Sequence, residues 1–335
     1  MGNMDIGLTR LANQHIIDRP FMKPADAVAW LGALQAQDYL GALWSIGLRM
    51  AATPQLPTEA LIEEALANHT IIRTWPMRGT LHFVAAEDVR WLLQLLTPRQ
   101  IQQSAGRYRQ LDLNEPTFAQ SQAVFAEALE GGKELTREEL MQALEHAGIA
   151  STGQRGYHML VRAAQDGVIC FGARSGKQQT FTLLAEWVPP TAPLPRDEAL
   201  AKLAQRYFTS HGPATVHDLA RWAGITVTDA RRGVAGVDKI LLCEMVGEQE
   251  YWLPYSTPAV VAQAEPVYLL PGFDEFVLGY GDRAAVLDPA YADRICPGGN
   301  GVFSPTVVID GQIRGTWKRT LKTKAVAVEW TPFTS

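Results

Sequence analysis

Apolar and polar positions along this chain fall into a recurring order: two short amphipathic helices, then alternating residues on either side of a polar or glycine-bearing tip. The middle of the chain has the clearest copy. Residues 137–144 carry apolar side chains at helical spacing, and Thr136 with Glu139 three positions on forms a capping box. Gly148 breaks that helix, 155–165 reads as a second, and Asp166-Gly167 ends it. Residues 168–172 and 180–183 then read as a hairpin with a basic tip.

A second copy has a lead helix at 199–210, a helix at 216–223 stopped by Gly224, and another at 228–234 carrying Arg231 and Arg232. Strands follow at 240–244 and 250–253 around Gly247. A looser copy opens the chain, with helices at 25–34, 39–48 and 59–68 and strands at 71–74 and 80–84 around Pro76-Met77-Arg78-Gly79. After Pro258 short apolar runs at 267–270, 302–303, 306–309 and 325–330 read as a small barrel or sheet. Joints fall at Leu113-Asn114-Glu115-Pro116 and in the proline-rich stretch 189–195. The expected fold class is α+β: three tandem winged-helix modules (1–115, 116–190, 191–257) and a C-terminal β-rich, barrel-like module (258–335).

The 335 residues are 47% hydrophobic and 19% charged, ordinary for a globular protein. No run of 18 or more apolar residues suggests a membrane span, and the first ten residues lack a basic start followed by an apolar run. A cytoplasmic, nucleoid-associated monomer is expected. Cys170, Cys243 and Cys296 stand far apart and read as small buried hydrophobes, and neither they nor the seven histidines have metal-ligand spacing. A net charge of −5 argues against nonspecific coating of nucleic acid and favours a protein-interaction scaffold, but it leaves room for a local basic groove. Gly279-Tyr280-Gly281 lacks the third glycine of a dinucleotide loop.

Basic residues gather in three places. Arg78 and His82 lie on the first hairpin, suited to phosphate or sugar contact, or to a carboxylate pair and a backbone bond. Arg155, His158 and Arg162 share one helical face, with Arg174 and Lys177 on the adjoining hairpin and Arg99, Arg107 and Arg109 upstream. Residues 311–324 contain no acid and carry Arg314, Lys318, Arg319, Lys322 and Lys324 around Trp317. That stretch reads as a DNA-backbone patch with salt-sensitive binding, or as a solvated strand face. Asp274 and Glu275, if on a strand, point to opposite faces: one could face a cleft and stabilise a cationic sugar or base, but a carboxylate that anchors the start of the barrel or pairs with Arg283 is the favoured account.

Gln35-Ala36-Gln37-Asp38 joins two apolar helical stretches. In an extended segment Gln35 and Gln37 face the same way, with Asp38 placed to cap the next helix. Glutamine is no general base, but its carbonyl accepts from water and its NH₂ donates to developing charge. That suffices where the leaving group already carries positive charge, as in an N7- or N3-alkylated purine. Spacing alone favours the plainer account, polar surface residues in an interhelical loop.

This turn, together with Thr74-Trp75-Pro76-Met77-Arg78-Gly79-Thr80-Leu81-His82 and Leu269-Leu270-Pro271-Gly272-Phe273-Asp274-Glu275-Phe276, resembles the AlkZ-like (YcaQ-related) winged-helix DNA glycosylases. The family's Gln-x-Gln motif matches Gln35-Ala36-Gln37, whereas the YcaQ-like group has Gln-x-Asp. The resemblance implies Gln35 and Gln37 as the catalytic pair. It implies monofunctional hydrolysis of the N-glycosidic bond of alkylated purines in double-stranded DNA, interstrand crosslinks among them, with no cofactor and no metal. The rival reading is a noncatalytic winged-helix DNA-binding protein or regulator.

Overall fold

The reciprocal cap expected at Thr136 forms: its hydroxyl accepts from the Glu139 amide at 3.3 Å, and the Glu139 carboxylate accepts from the Thr136 amide at 2.7 Å. In the computed structural model, which describes residues 4–52, 56–256, 267–323 and 325–334, this cap starts the helix Arg137–His146. The chain divides into two units, one comprising 60–199 and the other 1–59 with 200–335.

In the unit 60–199 the helix Arg155–Gln165 follows, then the antiparallel strands Ile169–Phe171 and Thr180–Leu183. Leu135–Thr136 pairs on the other edge of Thr180–Leu183, making it the central strand. Phe118, Phe125, Leu140, Leu144, Met159, Leu160 and Phe181 fill the core beneath. Two long helices that the hydrophobic pattern did not announce complete the unit. Ala86–Gln110 contains Pro98, which reads locally as a breaker; Glu115–Leu129 starts where Asn114 caps the Thr117 amide at 2.9 Å. The strands Ile71–Met77 and Thr80–Ala85 run further than the alternation suggested. Arg78 (φ 55°) and Gly79 (φ 70°) are both left-handed, so the connection is a two-residue turn. Pro76 is inside the strand at a register irregularity, where the ladder does not need its missing N–H.

In the other unit Pro24–Leu31 ends at Gly32, and Tyr39–Gly47 starts where Asp38 accepts from the Gly41 amide at 3.1 Å. The helix Arg196–His211 enters this unit at Leu200 and carries Leu200, Leu203, Ala204, Tyr207 and Phe208 into the core. Val216–Ala223 has a Thr215/Asp218 capping box and stops at the left-handed Gly224, as expected. Val227–Ala235 and the hairpin Leu241–Val246/Gln249–Pro254 follow.

The C-terminal stretch does not close. Val267–Leu270, Thr306–Ile309, Gln312–Lys322 and Ala325–Pro332 form an open antiparallel sheet in that order, so the barrel-like reading is corrected to a four-stranded sheet among the described residues. Leu270 on its edge strand and Val308 and Ile313 on its inner strands share one core with Phe276 and Val286. Residues 302–303 are irregular rather than β. Asp274 and Glu275 are not on a strand: Asp274 caps the short helix Glu275–Leu278.

Candidate active site

Gly32 ends one helix, and the buried Ala33, Leu34 and Ala36 draw the following segment into the core. The backbone is extended over Leu34–Gln35 and bends at Gln37-Asp38 before the next helix starts. Because the strand geometry stops at Gln35, the alternation argument for a shared face does not carry through the bend. Gln35 is 9% exposed, whereas Gln37 lies on the surface.

The 269–275 motif wraps this turn and the helix after it. The Gln35 amide donates to Glu275 Oε1 at 3.2 Å. Glu275 Oε2 accepts from Trp222 Nε1 at 2.8 Å, and His211 Nε2 stands 3.4 Å away. Asp274 turns the other way. It pairs with Arg49 through two bonds of 2.9 and 3.0 Å, accepts from the Ser45 hydroxyl, and caps the Phe276 amide at 2.9 Å. Asp274 and Arg49 side chains are wholly buried. Arg283 is not the partner of Asp274: its Nε donates to the Val277 carbonyl, and burial together with Arg221 lowers its pKa to about 10. Trp44 Nε1 reaches the Leu269 carbonyl at 2.9 Å. Two motifs more than 200 residues apart thus form one piece of structure.

A buried polar chain continues behind it. Arg49 Nη2 donates to Gln14 Oε1 (2.8 Å), Gln14 Nε2 to the Tyr280 hydroxyl (3.0 Å), and that hydroxyl to the His211 carbonyl (2.7 Å). The Arg10 guanidinium stacks 3.5 Å from the Tyr280 ring centroid. Burial raises the pKa of Tyr280 and Tyr207 well above the phenol range, so neither releases a proton near neutrality. Sequence reasoning missed Gln14, Arg49, His211 and Trp222 as supports of the turn. The only signal was Arg10 and Gln14 four apart in a helical stretch, a polar pair with no surface reason.

The structure places the predicted basic residues in varied company. The Arg78 guanidinium is 3.1 Å from His82 Nε2, and His82 Nδ1 donates to the Thr80 carbonyl at 2.9 Å. His82 is wholly buried behind Arg78. Arg155 holds the carbonyls of Ala150, Leu111 and Asp112. His158 is half-buried with its ring edge on Tyr108, and burial plus Arg107 lowers its pKa. Arg162 bridges Glu115 and Asp166 at 2.7 Å each, and Arg174 pairs with Glu63 at 3.2 Å. Lys177 and Lys322 are exposed. Lys318 is exposed and pairs with Glu329 at 2.8 Å, and Arg319 lies over the Trp44 ring. Arg314 is exposed, and Lys324 lies outside the described residues. Residues 311–324 are therefore mostly one strand, with Trp317 facing inward to the Leu270 carbonyl.

Arg162 holds the Glu115 carboxyl below its ordinary range. A depressed carboxylate contributes stability above its unfolded pKa and loses it as pH falls through the folded value. Glu115 is mostly exposed, so the contribution is small. Glu115→Gln should lower the melting temperature slightly at pH 7 and not at all near pH 2, as read by thermal melts at both pH values.

Among the described residues no group of three or more His, Cys, Asp or Glu side chains stands together as a metal site, and no helix is long and apolar enough to cross a membrane. A family model described as DNA glycosylase AlkZ-like matches residues 28–335. The chain is 28% identical over 334 residues to the interstrand DNA cross-link repair glycosylase of Streptomyces sahachiroi, covering 92% of this chain and 85% of that one. The solved structure of Streptomyces sahachiroi DNA glycosylase AlkZ has the same fold, with a TM-score of 0.82 at 24% identity, covering 99% of this chain and 91% of its own.

Proposed function

Given that the chain belongs to the AlkZ-like DNA glycosylase family, we propose that it hydrolyses the N-glycosidic bond of cationic N7- or N3-alkylated purines in duplex DNA. We extend the proposal to interstrand crosslinks, in line with the name of the Streptomyces relative. The observation that carries it is the Gln35-Ala36-Gln37 turn, fixed at Gln35 by Glu275 and at its end by the Asp38 cap. The leaving base already bears positive charge, so no acid need protonate it. What remains is to orient water and to stabilise a sugar that becomes oxocarbenium-like, and a carboxamide serves both ends. Gln35 and Gln37 take these roles, water is the nucleophile, and the product is an abasic site. No cofactor enters this scheme.

The helix–helix–hairpin stretches act in this reading as three winged-helix modules with the boundaries set out above, in a monomer. A helix in a groove and a hairpin on phosphate is the usual division of labour in such modules. Ion pairs such as Lys318–Glu329 and Arg174–Glu63 do not bar this, because exposed pairs are worth little and a phosphate can replace the carboxylate.

The test is incubation with a duplex containing one N7-methylguanine, followed by chromatography for free base and by alkali. Free methylguanine and strand scission that requires alkali are expected. Duplex binding without base release would favour the noncatalytic regulator, and scission without alkali would contradict monofunctional hydrolysis. For the 311–324 strand, Lys318→Ala with Lys322→Ala should flatten the slope of log K against log salt by about 2, roughly one for each phosphate that a lysine no longer neutralises. An unchanged slope in a salt titration removes that strand from the DNA-binding surface.

A further inference from the structure

Asp274 and Glu275 are adjacent, both wholly buried, and do different work. Asp274 finds a countercharge in Arg49 and caps the helix that follows. Glu275 spreads its two oxygens over the Gln35 amide, the Trp222 indole and the His211 ring. Burying a carboxylate costs several kcal/mol before its partners are counted, and a well-packed apolar side chain often serves stability better. Scaffolding alone therefore gives a weak account of Glu275.

The backbone around it is held in place. Phe273, two residues earlier, sits at φ 66°, a left-handed conformation that persists for a bulky residue only where its surroundings enforce it. Gly279 lies against the His211 ring: a Cβ there would come within 2.7 Å of His211 Cδ2 and of the Glu275 carbonyl. The absence of a side chain at 279 lets the imidazole approach Glu275. Each of these features fixes where Glu275 points, and Oε1 points at the turn that carries the two carboxamides.

We infer that Glu275 is a positioning residue for cleavage of the glycosidic bond. Its carboxylate grips the Gln35 backbone and sets the register of Gln35-Ala36-Gln37 relative to the sugar. The inference rests on the glycosylase reading of the glutamine pair given above. Its physical basis is preorganisation: a reacting constellation displaced by about 1 Å can lose on the order of 10²-fold in rate without losing affinity. Glu275→Gln keeps the shape but gives the site one acceptor and one donor where two acceptors stood, so either the Gln35 amide or the Trp222 indole loses its bond.

The experiment measures single-turnover release of N7-methylguanine from a defined duplex at saturating protein, with duplex Kd and thermal melting alongside. Glu275→Gln is expected to lower the rate about 10- to 100-fold with Kd changed less than about twofold. Trp222→Phe keeps an aromatic group, though a smaller one, and removes the indole donor to the same carboxylate; it should lower the rate about 3- to 10-fold, and it provides the reading should Glu275→Gln fail to fold. Val308→Ala, a core change in the same unit, lowers the melting temperature and should leave the rate within twofold, separating positioning from loss of stability. A Glu275→Gln protein that excises at the wild-type rate while Gln37→Ala is inactive overturns this inference and leaves the glycosylase reading standing. If Gln37→Ala also excises at the wild-type rate, the reading of the glutamine pair falls first. A rate loss that Val308→Ala shares overturns the positioning role.

Discussion

With Gln35 and Gln37 both replaced by alanine, single-turnover excision of N7-methylguanine should fall by at least about 10²- to 10³-fold, the range set by removing one preorganised polar group from a charge-developing transition state. The two replacements should not multiply, because groups that act on one transition state lose most of their effect together. Duplex affinity should stay within about threefold, since neither side chain carries charge and phosphate contacts dominate binding. Each single variant should lose most of the rate by itself. Gln35 is nearly buried and anchored through its backbone to Glu275, so Gln35→Ala leaves the anchor and removes only the carboxamide. Excision that survives in the double variant would move the chemistry to other residues.

The second large effect concerns stability. Asp274→Ala leaves the Arg49 guanidinium buried without its carboxylate and takes an acceptor from Ser45 and from the Phe276 amide. Removing one partner of a buried pair costs about 3–5 kcal/mol, which lowers the melting temperature by on the order of 10 °C. Exchanging both partners for apolar residues, Arg49→Met with Asp274→Leu, should recover much of that loss, because no uncompensated charge remains. A melting temperature within about 2 °C of wild type for Asp274→Ala would mean that the pair does not hold the 269–275 segment to the chain just after the helix Tyr39–Gly47.

Several elements were legible because their signals are local. Thr136 with Glu139, and Asp38 ahead of Tyr39, fixed helix starts through contacts three residues apart. Gly224 stopped a helix where a left-handed residue was needed. The family, too, was readable from three short motifs, and the match over residues 28–335 bears that out. Where local signals fell short, packing and long-range contacts decided. Pro98 sits inside a 25-residue helix whose buried face, from Val89 to Leu96, packs regardless of the proline. Residues 274–275, weighed conditionally as strand positions, start a helix, because Asp274 is committed to Arg49 and to the Phe276 amide. The expected barrel stayed an open sheet, since periodicity counts strands and says nothing about whether the outer two meet.

Residue order alone was enough to settle the helix starts at Asp38 and Thr136, the glycine stop at Gly224, and that two glutamines stand two apart beside a helix cap. Those features depend on neighbours within one turn of chain, and such neighbours are given by the order itself. What holds the glutamines emerged only once the chain was folded: Glu275, 240 residues away, on the Gln35 amide, and Arg49, 225 residues from Asp274, closing the segment behind it. Contacts of that span are selected by the burial of the whole unit, where a carboxylate taken from water must find donors wherever the packed chain brings them.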